Sequence, residues 1–107
     1  MTYRLIILPR AERDAQRIFE WISERSPEGG IHWWQALEEA TLRIVDNPRA
    51  CGLAPENGLF SYELRQFLFR TRQGRTYRGV FTILGDEVRL LRVRGPGQPA
   101  LESDELV

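Results

Sequence analysis

Apolar residues change their period along this chain, and each change predicts an element. Tyr3 to Leu8 is a short, β-rich apolar run stopped by Pro9, which predicts a first strand. From Pro9, which suits the first turn of a helix, Ala11, Ala15, Ile18 and Ile22 recur at helical spacing, and Phe19 widens the stripe. Glu12, Asp14, Arg17, Glu20 and Glu24 are read as lying off it, so one face of this helix is expected to be buried. The segment Ser26-Pro27-Glu28-Gly29-Gly30 carries turn chemistry, with Ser26 placed to cap a second helix. There Trp34, Leu37, Thr41 and Ile44 form the stripe, supported by Ala40 and Val45, until Asn47-Pro48 ends it. Two helices joined by a tight turn make an antiparallel hairpin.

Residues 47–59 hold Pro, Gly and Asn without a sustained period and predict a loop. Three runs follow it: Ser61 to Phe69, Thr76 to Leu84, and Val88 to Val93. Gln73-Gly74 and Gly85-Asp86 supply hairpin turns, so these strands should form an antiparallel meander. Within the second run Tyr77, Phe81 and Ile83 alternate with Arg78, Val80 and Thr82, which predicts one face toward the helices and one open face. The expected fold is α+β: an N-terminal strand, a two-helix antiparallel hairpin, and a three-stranded meander, forming one sheet packed on the helices. Residues 1–94 make the domain, and residues 95–107 are expected to be an acidic tail that stays mobile unless a partner holds it.

The length of 107 residues suits one core, and the balance of apolar and charged residues is that of a globular chain. The opening apolar run is far too short to span a membrane, so no membrane association is expected. Cys51 is the only cysteine, which excludes an intrachain disulfide and fits a reducing, cytoplasmic setting; no reactive role is expected of it. All fifteen basic residues are Arg. Residues 60–94 hold eight of them against Glu63, Asp86 and Glu87, a local net of +5 inside a chain of formal charge zero. Such asymmetry points to a polyanion or an acidic partner, or else to ordinary solvated strand faces.

His32 is the only histidine, and neither HExxH nor CxxC spacing occurs, so no metal or cofactor is expected. His32 itself is expected on the surface or in helix packing. No GxSxG or GxxxxGK supports a nucleophilic triad or a nucleotide site. The Arg cluster carries the functional content. If Tyr77 faces the helices, Arg78 lies on the open face, where Arg65 and Arg92 join it if the register allows. Guanidinium forks grip phosphate or carboxylate in pairs of hydrogen bonds. Arg94 belongs to the same basic, partner-binding set. Of the tryptophans, Trp34 is assigned to the core stripe, and Trp21 and Trp33 to its edges as candidate partner contacts.

The strand ending in Pro9, the Ala11 to Ile22 helix, Asn47-Pro48, the Glu63-Leu64-Arg65 strand and the Tyr77-Arg78 strand occur in an order that resembles the RelE/ParE superfamily of toxins in type II toxin–antitoxin modules. The long helices look more like the ParE, or plasmid-stabilization, branch. The resemblance implies a prokaryotic, cytoplasmic, growth-inhibiting toxin and a cognate antitoxin that wraps it. It offers two kinds of target: RelE-like members cleave messenger RNA on the ribosome, and ParE-like members bind DNA gyrase without breaking bonds. Arg78 stands at the family's strand arginine. If the chain were a nuclease, Arg65, Arg78 and Arg92 would hold phosphate while Tyr77 or Tyr62 moved protons. Where nuclease members place a catalytic Arg, Lys, His or Tyr after the last strand, this chain has Gly95, Pro96, Gly97 and Gln98, and it has no Lys. Arginine is a poor proton donor at neutrality, so the expectation is a toxin that acts by binding its target. The alternatives are an endoribonuclease, or a toxin-fold interaction module that has lost activity.

Overall fold

The structure is a computed structural model that describes residues 2–106. Strand β1 spans Arg4–Ile7, helix α1 Pro9–Arg25 and helix α2 Pro27–Asp46; strands β2, β3 and β4 follow at Arg65–Phe69, Tyr77–Leu84 and Glu87–Arg94. Short 3-10 turns occur at Pro48–Ala50 and Ser103–Glu105. The sheet runs in the order β1-β4-β3-β2, with β1 parallel to β4 and the other pairs antiparallel. The expected α+β architecture is therefore present: one mixed sheet, with both helices on one face.

The helical hairpin is tighter than the turn chemistry suggested. Ser26 alone separates the helices, ending α1 through its N–H to the Ile22 carbonyl and capping α2 by accepting the Gly29 N–H at 3.0 Å. Pro27 takes the first position of α2, where its missing N–H costs nothing, so Glu28 to Gly30 are helical. The loop after α2 runs further than expected, to Leu64, and β2 is the shorter for it.

The principal core lies between helices and sheet. Ala11 and Ala15 bring α1 close to the strands, while Trp33, Leu37, Ala40 and Ile44 of α2 meet Phe67, Phe69, Phe81, Val88, Leu90 and Val93. Here one expectation fails. Trp33, assigned to an edge, is the largest fully buried side chain at 1% exposure, and Trp34 is only half-buried. Helix α2 has two apolar faces: Trp33 packs on Phe69 and Tyr77 of the sheet, and Trp34 packs edge-on against Phe19 of α1. The stripe read through Trp34 holds Leu37, Ala40 and Ile44 of the sheet-facing side but leaves out Trp33. Gly79 serves the same core, because a Cβ there would overlap the Phe67 ring across the β2–β3 pair.

The sheet's other face is not open. Val80 and Leu91 on it are buried with Ala54 and Leu64 from the long loop and with Leu101 and Leu106 from the C-terminal segment. The segment after Arg94, expected to be mobile, is docked. Leu101 and Leu106 anchor it, and a reciprocal capping arrangement of Glu102 and Glu105 closes its last turn.

Candidate functional site

Register decides which arginines share a face. Strand β2 pairs Leu68 with Arg78 and Gln66 with Val80, but Arg65 with Phe81, so Arg65 points to the helix side. On β4 the pairing steps from Arg92–Val80 to Leu90–Phe81, leaving Leu91 as an extra residue. This bulge turns Arg92 and Arg94 onto the face of Arg78; unbroken alternation from Leu90 would have sent them to the helices. The expected trio is thus corrected to Arg78, Arg92 and Arg94.

None of the three presents a free guanidinium. Arg78 grips both carboxylate oxygens of Glu56, with Nη1 to Oε1 at 2.9 Å, and also donates to Gln66 Oε1 at 3.3 Å. Glu56 descends from the loop after α2, is 3% exposed, and accepts the Leu101 N–H at 2.7 Å as well. Burial alone would raise its pKa, but the bonds from Arg78 and Leu101 outweigh burial and hold the carboxyl below its ordinary value. Arg92 donates through Nε and Nη2 to Asp14 at 2.6 and 2.9 Å, and through Nη1 to the Glu105 carbonyl at 2.8 Å. Asp14 also accepts the Val93 N–H at 3.0 Å, so it occupies the edge of β4 beyond the last β1 pair. Arg94 is buried and donates to the Pro99 carbonyl. These contacts bind the long loop, α1 and the C-terminal segment to the sheet.

The remaining candidates lie apart. Arg65 donates to the carbonyls of Cys51 and Arg49 and sits 3.3 Å from Glu63. Tyr77 stands in the aromatic core, 5.5 Å from Trp33 between ring centroids, and burial pushes its phenol up against the opposing charge of Arg75. It faces away from Arg78. Tyr62 is exposed and stacked on Phe60. Trp21 is exposed beneath the Arg25 guanidinium, whereas Trp33 is sealed in the core and offers a partner nothing. Burial raises the Cys51 thiol, with Arg65 opposing, which makes it a poor nucleophile. Sequence reasoning missed Asp14 and Glu56. Asp14 had a visible signal, since it falls three residues after Ala11 and four before Ile18, inside the stripe. Glu56 had none, because it sits in a stretch without a period.

A four-stranded mixed sheet with a helical hairpin on one face and arginines on the other defines a small α+β domain. The E. coli toxin RelE, solved as a double mutant in its free state, superposes with a TM-score of 0.57 over 91% of this chain and 86% of that one, at 17% identity. No curated protein sequence matches. Residues 5–98 match the family model for the ParE toxin of the type II toxin–antitoxin system parDE. This chain therefore belongs to the ParE toxin family, and a type II toxin has a cognate antitoxin as its partner. Among the described residues no helix is long and apolar enough to cross a membrane.

Proposed function

We propose that this chain is a toxin that acts by binding a protein target, DNA gyrase on the family's precedent, without breaking bonds itself, and that its antitoxin silences it by binding. The observation that carries this reading is the internal engagement of Arg78 and Arg92 by Glu56 and Asp14. A nuclease of the RelE kind needs those guanidinium groups for phosphate and a proton carrier beside them. Tyr77 faces the core, and no histidine lies on the sheet. Binding a protein needs neither.

The test is to induce the chain in cells without antitoxin, and to read plasmid supercoiling and message cleavage from the same cultures. Growth arrest with altered supercoiling and intact message is expected. Arrest with cleaved message at unchanged supercoiling refutes the proposal in favour of the endoribonuclease. Normal growth at full expression refutes it in favour of an interaction module without toxic activity.

A further inference from the structure

Between Leu64 and Gly85 the chain carries five arginines and no acid. Two of them, Arg65 and Arg78, are consumed internally as described. The other three, Arg70, Arg72 and Arg75, cluster on the connection between β2 and β3. All three are exposed, and none donates a hydrogen bond or enters an ion pair among the described residues. The positive charge that this stretch offers to solvent is therefore displaced from the sheet to the hairpin tip. The tip also overhangs α2. Arg70, Arg72 and Gln73 form one wall of a cleft of about 660 Å³, and His32, Gln35 and Glu39 form the other. Helix α2 packs on the face of the sheet opposite Arg78, so this cleft is separate from the Glu56–Arg78 and Asp14–Arg92 pairs.

We propose that the β2–β3 tip and its cleft bind the phosphodiester backbone of a nucleic acid. Charge alone admits an acidic protein segment as well, but the lining distinguishes the two. Protein recognition concentrates its energy in aromatic or aliphatic anchors seated in apolar pockets. Apart from Ala36, every side chain lining this cleft is polar or charged, or the residue is glycine. A phosphodiester chain needs no such anchor, since guanidinium groups, amides and released counterions supply its affinity. His32 is the one ring in the lining on which a base could stack, so contact should depend little on sequence. Glu39 is the one acid in the lining, and it is outnumbered by Arg70 and Arg72 in the cleft wall, with Arg75 on the same connection outside it. The site does not depend on the identity of the toxin's target.

Fluorescence anisotropy with labelled 12-nucleotide RNA, the matching DNA strand and a 12-base-pair duplex tests this on the full chain. Three neutralised phosphates predict a slope of log K against log salt of about −2.7 for the duplex and about −2.1 for single strands. Between 50 and 200 mM salt that slope weakens duplex binding by about 40-fold. The Arg70→Gln/Arg72→Gln/Arg75→Gln variant is expected to lose this binding and its salt dependence. Arg13→Gln/Arg17→Gln/Arg43→Gln removes the same charge from exposed helical positions and should retain both. RNA and DNA strands of equal affinity fit recognition of the phosphodiester, and a preference for RNA fits it with an added 2′-hydroxyl contact. Equal loss in the two triple variants, binding without salt dependence, or hairpin-dependent binding of a labelled polyglutamate peptide with none of the nucleic acids would overturn the proposal.

Discussion

Replacing Arg78 with Ala removes a guanidinium that matches a buried carboxylate, and the consequence for stability can be worked from the contacts. Glu56 would keep only the Leu101 N–H and lose every charge-assisted bond. Removing one partner of a buried ion pair costs about 3–5 kcal/mol, because the survivor is left charged in a dry site. A small domain holds only about 5–15 kcal/mol in total, and the melting temperature should fall by roughly 12–25 °C. The effect must depend on pH with a definite sign. In the native chain the Glu56 pKa lies below its ordinary value of 4.5, so its contribution is full above that value and is lost as pH falls through the folded pKa. In Arg78→Ala the Leu101 N–H alone of the named bonds still opposes burial, so the folded pKa rises and the stability that the low pKa supplied above this range is lost. The gap between the two proteins is therefore widest at neutral pH and narrows toward pH 4. Glu56→Gln added to Arg78→Ala should recover most of the loss, since no buried charge remains. Urea unfolding of the four members of this cycle at pH 7 and pH 4 checks each point. A single Arg78→Ala variant as stable as the native chain at pH 7, or a gap that widens on acidification, would refute the reasoning. The result governs any toxicity assay: loss of growth arrest in Arg78→Ala is evidence of a role at the target only if the double variant loses it too.

Arg92→Ala is expected to destabilise the fold by about 3 kcal/mol, since Asp14 would keep only its backbone bond to Val93; urea denaturation measures it. Trp33→Ala should cost about 3–5 kcal/mol and Trp21→Ala less than about 1 kcal/mol, a contrast that follows from burial and that the same titrations will show. Gly79→Ala should cost about 1–3 kcal/mol, read as a lower thermal midpoint, because the Phe67 ring fills the space a methyl group needs.

The elements and their order were legible in the sequence because each strand and helix has its own period and its own punctuation at Pro9, Ser26-Pro27, Asn47-Pro48 and Gly85-Asp86. Side-chain direction was legible only where alternation is unbroken. Tyr77 and Arg78 were placed on the correct faces, whereas Arg65 was not, because the pairing of β2 against β3 leaves no trace in composition. The bulge at Leu91 was equally invisible, yet it sets the direction of Arg92 and Arg94. Trp33 and Trp34 illustrate a different limit. A helix held between a second helix and a sheet has two apolar faces, and adjacent tryptophans can each belong to one. Leu101 and Leu106 stood in an acidic, Pro- and Gly-punctuated tail whose composition argued for disorder, although two leucines suffice to dock it on an apolar sheet face.

That docked segment constrains how any partner can use the arginine face. The family fold alone does not make the Arg78 surface available, since fold and site are separate arguments. Residues 95–106 cover it: Arg92 and Arg94 hold the carbonyls of Glu105 and Pro99, Arg10 holds that of Asp104 at 2.8 Å, and Glu56 holds the Leu101 N–H. A partner that engages Arg78 must supply a carboxylate or phosphate in place of Glu56, and must release the segment that Glu56 tethers. Exposing Leu101 and Leu106 costs about 3–6 kcal/mol by area, an upper value, so such a partner must itself bury comparable apolar surface on Val80 and Leu91. Hydrogen exchange on the complex with the antitoxin separates the two geometries. Binding on the arginine face is expected to raise exchange at Leu101 and Leu106 while protecting β3. Binding confined to the helical hairpin, around exposed Trp21, would leave the segment as protected as in the free chain and would show that the arginine face serves the fold alone.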